Sequence, residues 1–240
     1  MPRLDVLVTR SGLAESRERA QALILAGKVR VAGETIRRPD RAVSEDAAIS
    51  VESGPDYASR GALKLAPALE TFGVDPAGRI CADIGASTGG FTDVLLRRGA
   101  SRVYALDVGR GLLHWRLRQD PRVVVIERVN ARDLESFPEP VSLAVVDVSF
   151  ISLEKVLPAL RRAAPDADVI ALFKPQFEVG RSEVGKGGIV RDVAAIDAAL
   201  ARFRTWCAEN AYEVLAEARS EVAGAEGNRE IFVHLRPTMR

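Results

Sequence analysis

Cysteine is almost absent: the 240 residues hold two, Cys81 and Cys207, far apart and in no CxxC or Cys/His spacing. A disulfide framework and a zinc site are therefore not expected, no other metal site is read, and a reducing, cytoplasmic setting fits. Cys81 stands in an apolar run and reads as a core residue. Long hydrophobic runs are missing too. No segment approaches the roughly 18 consecutive apolar residues of a bilayer span, so no membrane partner is expected. The opening MPRLDVLVTRSG carries charge within its first five residues and no apolar h-region, so no secretory signal is visible. Charge of one sign is lacking: 34 Lys and Arg stand against 33 Asp and Glu, a balance that can hide local asymmetry. Neither an internal repeat nor a low-complexity segment occurs.

What is present suits an ordinary globular protein. A chain of 240 residues, 47% hydrophobic and 28% charged, can bury one large core and a smaller one. Residues 1–41 carry nine basic against five acidic residues, whereas 42–57 carry Glu45, Asp46, Glu52, Asp56 and no base. Only the first stretch is a candidate polyanion surface, or else merely a solvated face. Residues 3–26 read as two short helices broken at Ser11-Gly12, with Ser16 as a cap and Gly27 as the C-terminal glycine. Val29-Arg30-Val31 alternates, Ala32-Gly33-Glu34 turns, and Ile49-Ser50-Val51 is another short strand. The unit ends near Gly54-Pro55, giving an N-terminal domain over 1–54 and a linker over 55–63.

From Ser59 the pattern changes to helices near 59–72, 89–98, 152–163 and 192–208. Strands alternate with them at 80–84, 102–106, 123–127, 141–146, 168–173, 212–217 and 230–235. This is an α/β domain over 64–240 with a mostly parallel seven-stranded sheet. The last two strands leave no room for a crossover helix and must pair antiparallel. A parallel sheet ending in an antiparallel hairpin is the architecture of Rossmann-like methyltransferases.

The first strand of that domain runs into Asp83-Ile84-Gly85-Ala86-Ser87-Thr88-Gly89-Gly90-Phe91. Small residues there let a ligand approach the backbone, and the following helix start offers amide donors. Asp107 closes the next strand, placed to accept from both ribose hydroxyls of an adenosine. Gly-x-x-x-Gly-Gly is not the spacing that cradles a dinucleotide pyrophosphate, which favours S-adenosylmethionine over NAD. Arg132-Asp133 follows the third strand, either beside adenine or as an exposed turn pair.

Four charged residues stand near strand ends or beside them: Lys64, Asp147, Lys174 and Glu230. Each alone could be a solvated boundary; two bases with two acids suggest chemistry. A ribose hydroxyl attacking the sulfonium methyl must lose its proton. A lysine can take it only when neutral, against a reference pKa of about 10.4. A second lysine and a dry pocket lower that value, and carboxylates oppose the shift. Lys174 is the expected general base, with Lys64 its electrostatic partner.

Taken with Ser59-Arg60-Gly61, Asp147-Val148-Ser149-Phe150, Phe173-Lys174-Pro175-Gln176-Phe177-Glu178, Gly185-Lys186-Gly187-Gly188 and Gly227-Asn228-Arg229-Glu230, the chain resembles the TlyA family of ribosomal RNA ribose methyltransferases. That family, also labelled haemolysins, is related to the FtsJ-type enzymes with their Lys-Asp-Lys-Glu tetrad. The resemblance maps the tetrad onto Lys64, Asp147, Lys174 and Glu230. It implies 2′-O-methylation of a cytidine in ribosomal RNA, in 23S with 16S as a further candidate target, and S-adenosylmethionine as cofactor. The cofactor set is Asp83, Gly85, Ser87, Thr88, Gly89, Gly90, Phe91, Asp107, Val108, Asp133 and Asp147. Gly111-Leu112 departs from the Gly-Gln-Leu expected after Asp107-Val108-Gly109-Arg110.

Arg3-Leu4-Asp5, Ser16-Arg17, Ala20, Gly27, Val29, Val31 and Gly33 resemble the RNA-binding domain of the ribosomal-protein S4 type. Ribosomal RNA or ribosomal subunits are then the partner, with Arg3, Arg17, Arg19, Lys28, Arg30, Arg60, Arg181 and Lys186 as RNA contacts. Residues 178–191, rich in glycine and base, read as a lid that orders on RNA, or as an ordinary surface loop. The competing readings are an RNA-binding protein with an inactive methyltransferase fold, a small-molecule methyltransferase, and a membrane-active haemolysin.

Overall fold

The computed structural model describes residues 1–25, 27–51, 57–224 and 227–238. The chain divides into two compact units, Met1–Asp56 and Tyr57–Arg240. The junction expected at Gly54-Pro55 lies outside the described residues.

In the first unit, α1 (Leu4–Arg10) and α2 (Arg17–Leu25) precede β1 (Val29–Val31), β2 (Glu34–Ile36) and β3 (Ile49–Val51), which form an antiparallel sheet in the order β2-β1-β3. Ser16 Oγ accepts from Arg19 N at 3.1 Å and so caps α2. Leu4, Leu7 and Val8 pack with Ala20 and Ile24 onto Val29 and Ile36, a small core from one face of each element. Glu34, expected in the turn, opens β2 opposite Val31 instead. The turn is only Ala32-Gly33, both at positive φ (50° and 85°), as a tight two-residue hairpin requires.

One buried charge organises this unit. Asp5 is wholly buried, and its carboxylate accepts from Arg3 (3.1 and 2.9 Å), Arg17 (3.1 Å), Gln21 (2.8 Å) and the Val6 amide (2.9 Å). The Arg3 hydrogen bonds outweigh burial, and with those from Gln21 and Arg17 they hold the Asp5 carboxyl well below the usual carboxylate range. Arg3, just before α1, and Arg17 and Gln21 of α2 are thereby tied to one carboxylate of α1.

The second unit opens on residues 57–63. These were read as linker and are instead part of it: Ala58 N donates to Asp93 Oδ2 at 2.8 Å, and the Arg97 guanidinium lies over the Tyr57 ring. An unpaired amide and an aromatic ring gain partners there that water-exposed linker would lack. Next come α3 (Ala62–Phe72), β4 (Ile80–Ile84), α4 (Gly90–Arg97), β5 (Arg102–Asp107), α5 (Trp115–Arg118), β6 (Val123–Glu127), β7 (Leu143–Val146), α6 (Leu153–Ala163), β8 (Asp168–Phe173), α7 (Pro175–Glu178), α8 (Val193–Glu209), β9 (Tyr212–Arg219) and β10 (Ile231–Pro237). The sheet order is β6-β5-β4-β7-β8-β10-β9, parallel except for β10, which runs against both its neighbours. Helices cover both faces, so the central strands are apolar throughout. Leu143, Val145, Ile170 and Leu172 point into one core, and Ala144, Val146, Val169 and Ala171 into the other. Strand order reverses at β4, so the crevice for a ligand opens beyond the ends of β4 and β7.

Replacing Asp5 by Ala leaves Arg3, Arg17 and Gln21 without their shared acceptor. Loss of several charge-assisted hydrogen bonds should cost about 2–4 kcal/mol. Hydrogen exchange reads this unit separately: amides of α1 and α2 should lose about 30- to 1000-fold protection while those of β4 and β7 keep theirs. Unchanged protection in α1 would show the carboxylate to be dispensable.

Candidate active site

The loop between β4 and α4 is shaped by close approach. Gly85 has φ +86°, and a Cβ there would lie 2.4 Å from the Asp147 carbonyl oxygen. Gly90 packs on the start of α3, where a Cβ would lie 2.9 Å from Ala62 N. No side chain fits at either position without moving backbone. Between them Ser87 accepts a positive φ of 48° and donates its amide to Asp107 Oδ2 at 2.8 Å; Gly109 N donates to Oδ1 at 2.7 Å. Each Asp107 oxygen keeps lone-pair capacity for a further donor.

Two recesses flank this loop and share Gly85, Ser87 and Asp147. The larger, of about 540 Å³, is lined by Asp107, Val108, Asn130, Ala131, Arg132 and Phe150 among others. The smaller, of about 270 Å³, is lined by Ser59, Arg60, Lys64, Thr88, Gly90, Phe91 and neighbours. A nucleoside-sized group fits the first and a short polar chain the second, with a carboxylate at the wall of the larger and a glycine cradle between the two. Of the expected cofactor set, Gly85, Ser87, Thr88, Gly90, Phe91, Asp107, Val108 and Asp147 line these recesses. Asp83, Gly89 and Asp133 do not. Asp83 lies wholly buried beneath the loop, and Gly89 turns inward against Leu113 and Leu117. Asp133 is exposed, its neighbour Arg132 taking the lining position.

The four expected catalytic residues come from four elements and form two ion pairs. Lys64, in the first turn of α3, meets Glu230 at 2.6 Å; Glu230 directly precedes β10. Lys174, at the end of β8, meets Asp147 Oδ1 at 2.5 Å and donates to Ser149 Oγ at 3.0 Å. Lys64, Lys174 and Glu230 border one pocket of about 320 Å³ with Ser149, Phe150, Gln176, Phe177, Val184 and Gly188. Lys64 also lines the smaller cofactor recess, and Asp147 both recesses, so the pocket adjoins them.

The expected RNA contacts have varied surroundings. Arg3 and Arg17 hold Asp5 yet leave about half of each side chain exposed (47% and 53%). Arg19 and Lys28 are half-buried, Arg30 is exposed, and Arg19 and Arg30 both have interactions of their own. Arg60 is exposed on the smaller recess, and Arg181 and Lys186 are exposed on short helical turns.

Sequence reading passed over three residues here. Phe150 is 91% exposed and strained at φ +64°, its ring 5.2 Å from that of Phe177 and bordering both the larger recess and the 320 Å³ pocket. Ser149 accepts from Lys174 Nζ at 3.0 Å. Glu178 is half-buried, accepting from Ser152 Oγ (2.7 Å) and Leu153 N (2.8 Å) at the start of α6; desolvation pushes its carboxyl up to about 7.

Burial likewise pushes Asp83 up to about 7, against the opposing hydrogen bond from Thr92 Oγ1 at 2.6 Å and with Asp147 nearby. Its Oδ1 has no partner. From about pH 4 to about pH 7 the folded chain keeps a proton that the unfolded chain releases. This group's contribution is complete below about pH 4 and is lost as pH rises through about 7. Asp83→Asn should remove that slope. Denaturant unfolding followed at Trp115 and Trp206 should show wild type losing stability relative to the variant between pH about 5 and about 7.5. Parallel changes in both proteins would refute the raised value.

Comparison with known proteins fits this geometry. Residues 57–237 match the FtsJ-like methyltransferase family and residues 2–49 the S4 domain. The chain is 49% identical to the 16S/23S rRNA (cytidine-2′-O)-methyltransferase TlyA of Mycobacterium tuberculosis, over 98% of this chain and 89% of that one. It is 41% identical to haemolysin A of Brachyspira hyodysenteriae, over 97% and 98%. A solved structure from Streptococcus thermophilus, named as a haemolysin, superposes with a TM-score of 0.78 at 42% identity, over 98% of this chain and 88% of that one. Among the described residues no helix is long and apolar enough to cross a membrane. With both family matches in register with the two units, and relatives this similar along nearly its whole length, the chain belongs to the TlyA family of FtsJ-like methyltransferases carrying an S4 domain.

Proposed function

We propose that this enzyme uses S-adenosylmethionine to methylate the 2′-hydroxyl of a cytidine in ribosomal RNA. The observation that carries the reading is the pair of lysine–carboxylate contacts, each with one buried member, on a pocket adjoining the glycine-loop recesses. The nucleotide is drawn from the substrate named for the Mycobacterium tuberculosis relative. When bound, the cofactor supplies a methyl group on a positively charged sulfur, open to in-line attack. Asp107 holds the adenosine ribose, and Ser87 and Gly109 amides fix that carboxylate in place. The smaller recess takes the methionine end beside Ser59, Arg60 and Thr88.

The acceptor ribose enters the 320 Å³ pocket. Lys174 Nζ first gives a proton to Asp147 Oδ1, 2.5 Å away, and the neutral amine so formed takes the 2′-hydroxyl proton as the oxygen attacks. Ser149 Oγ keeps Nζ aimed at the pocket. Lys64, held by Glu230, presents positive charge where the oxygen becomes anionic. Phe150 offers an exposed ring on which the target base stacks, so the base leaves its own stack to reach the site. The S4 unit supplies phosphate contacts: Asp5 orients the outer edges of Arg3 and Arg17 while leaving half of each in solvent.

Incubation with S-adenosylmethionine and unmodified ribosomal subunits, followed by mass-spectrometric mapping, should find 2′-O-methylcytidine. A methyl group on a base, or none on either subunit, would overturn the assignment. Lys174→Ala and Lys174→Arg should both abolish methylation with cofactor affinity intact, since guanidinium cannot give up a proton at working pH. An active Arg variant would make the role electrostatic. Asp107→Ala should weaken cofactor binding about 10- to 150-fold by calorimetry. Phe150→Ala should lower kcat/KM for RNA about 5- to 150-fold, the range for one lost stacking contact.

A further inference from the structure

The acceptor pocket has one wall whose placement the reaction itself does not explain. Val184 and Gly188 line it opposite Lys174, from a segment of glycines and short helical turns with no strand to hold it. Gly187 and Gly188 both sit at positive φ, 76° and 75°. The segment closes on itself where Gly185 N donates to Ile189 O and Gly188 N to Gly185 O, both at 3.1 Å. Among the described residues, its side-chain hydrogen bonds to the rest of the unit at this end are made by Asn228.

Asn228 is 1% exposed. Its Oδ1 accepts from Val190 N at 2.9 Å and its Nδ2 donates to Gly188 O at 2.8 Å. One amide thus meets the backbone as a neighbouring strand would, donor to acceptor and acceptor to donor. Asp would face the Gly188 carbonyl with a second acceptor and bury a charge; Ala would meet neither group. Asn228 O in turn accepts from Gly224 N at 3.0 Å. Glu230 follows two residues later, 2% exposed and bonded to Lys64. A Cβ on Gly224 would lie 2.5 Å from Glu230 Oε1, so this turn is packed directly against the catalytic carboxylate.

We infer that Asn228 is a positioning residue that fixes the 184–190 wall of the acceptor pocket and the place of Glu230 together. It touches neither cofactor recess and no reacting atom. It acts by keeping the distance between wall and tetrad constant, so that a ribose seated against Gly188 meets Lys174 in one pose. The catalytic part of this inference rests on the pocket taking ribose; the structural part does not.

The test uses Asn228→Ala and Asn228→Asp in the full chain. Trypsin cleavage after Lys186, in the native protein, should quicken about 5- to 150-fold, the loss expected for two amide hydrogen bonds. Turnover on ribosomal RNA should fall by a similar factor at saturating cofactor, with cofactor Kd unchanged. Gly188→Ala, which strains the wall but leaves Asn228 and Glu230 in place, covers the case in which the first variants fold poorly. Combined with Asn228→Ala it should lower turnover less than the product of the two single effects. Cleavage unchanged in folded variants would overturn the wall assignment. Faster cleavage with full turnover would overturn the positioning role. A wild-type enzyme inactive on ribosomal RNA would instead sink the proposed function, while the cleavage comparison would still judge the wall.

Discussion

At the end of β4 the backbone of Gly85 touches the carbonyl of Asp147 at the end of β7, closely enough that no Cβ fits between them. The site depends on this contact. β4 and β7 are adjacent because the chain, after laying β5 and β6 on one side, crosses to the other. The loops leaving those two strand ends diverge and open a crevice. Gly85, at φ +86°, sends its loop toward β5, where the Ser87 amide reaches Asp107. Asp147 is pressed to that same loop while its carboxylate meets Lys174. One residue therefore lines both recesses and pairs with Lys174. In the proposed reaction this sets the separation of methyl donor and acceptor by rigid backbone and not by side-chain rotamers, as in-line transfer demands.

Three buried or half-buried carboxyls show how local donors decide charge. Asp5 is as buried as Asp83, yet Asp5 lies well below the usual range and Asp83 rises to about 7. The difference is in the donors. Asp5 has two guanidinium groups, an amide side chain and a backbone amide; Asp83 has one hydroxyl on one oxygen. Glu178, with a hydroxyl and one amide, also rises to about 7. Neutral donors offset only part of the cost of burying charge, whereas cationic ones exceed it. Asp147, at the same loop, meets Lys174 at 2.5 Å, whereas Asp83 beneath it has no cationic donor.

The sequence made the large domain legible because parallel strands buried on both faces are short apolar runs, and because small residues after the first of them have few other uses. Asp147 and Lys174 were legible as charges ending such runs, and Lys64 and Glu230 as charges beside them. What sequence could not reveal was which charges are already committed. Arg3 and Arg17 read as free phosphate contacts, but their inner edges are held by Asp5, and nothing local marks Asp5 as buried. Asp83 stood in the cofactor motif and reads the same whether it faces the ligand or lies beneath the loop. Phe150 sits among apolar neighbours in Val148-Ser149-Phe150-Ile151, where a core position would look identical. Residues 57–63 looked like linker because their partners, Asp93 and Arg97, lie more than thirty residues away.

Glycine content misleads in a more instructive way. Residues 178–191 carry four glycines, a composition that reads as mobility. At Gly185 a Cβ would lie 2.8 Å from the Ile189 carbonyl, and Gly187 and Gly188 hold left-handed turns that other residues enter at a cost. These glycines serve close approach and tight turning, as Gly85 and Gly90 do in the cofactor loop. The same residue type lowers the barrier to motion in an unpacked chain and permits contacts in a packed one; which applies depends on partners distant in sequence. Here one end of the segment is held by Glu178 on the start of α6, the other by Asn228, 38 and 40 residues beyond the groups it binds. For the proposed ribose acceptor, a wall fixed at both ends costs little reorganisation, which is how preorganised polar sites gain their effect on a developing charge.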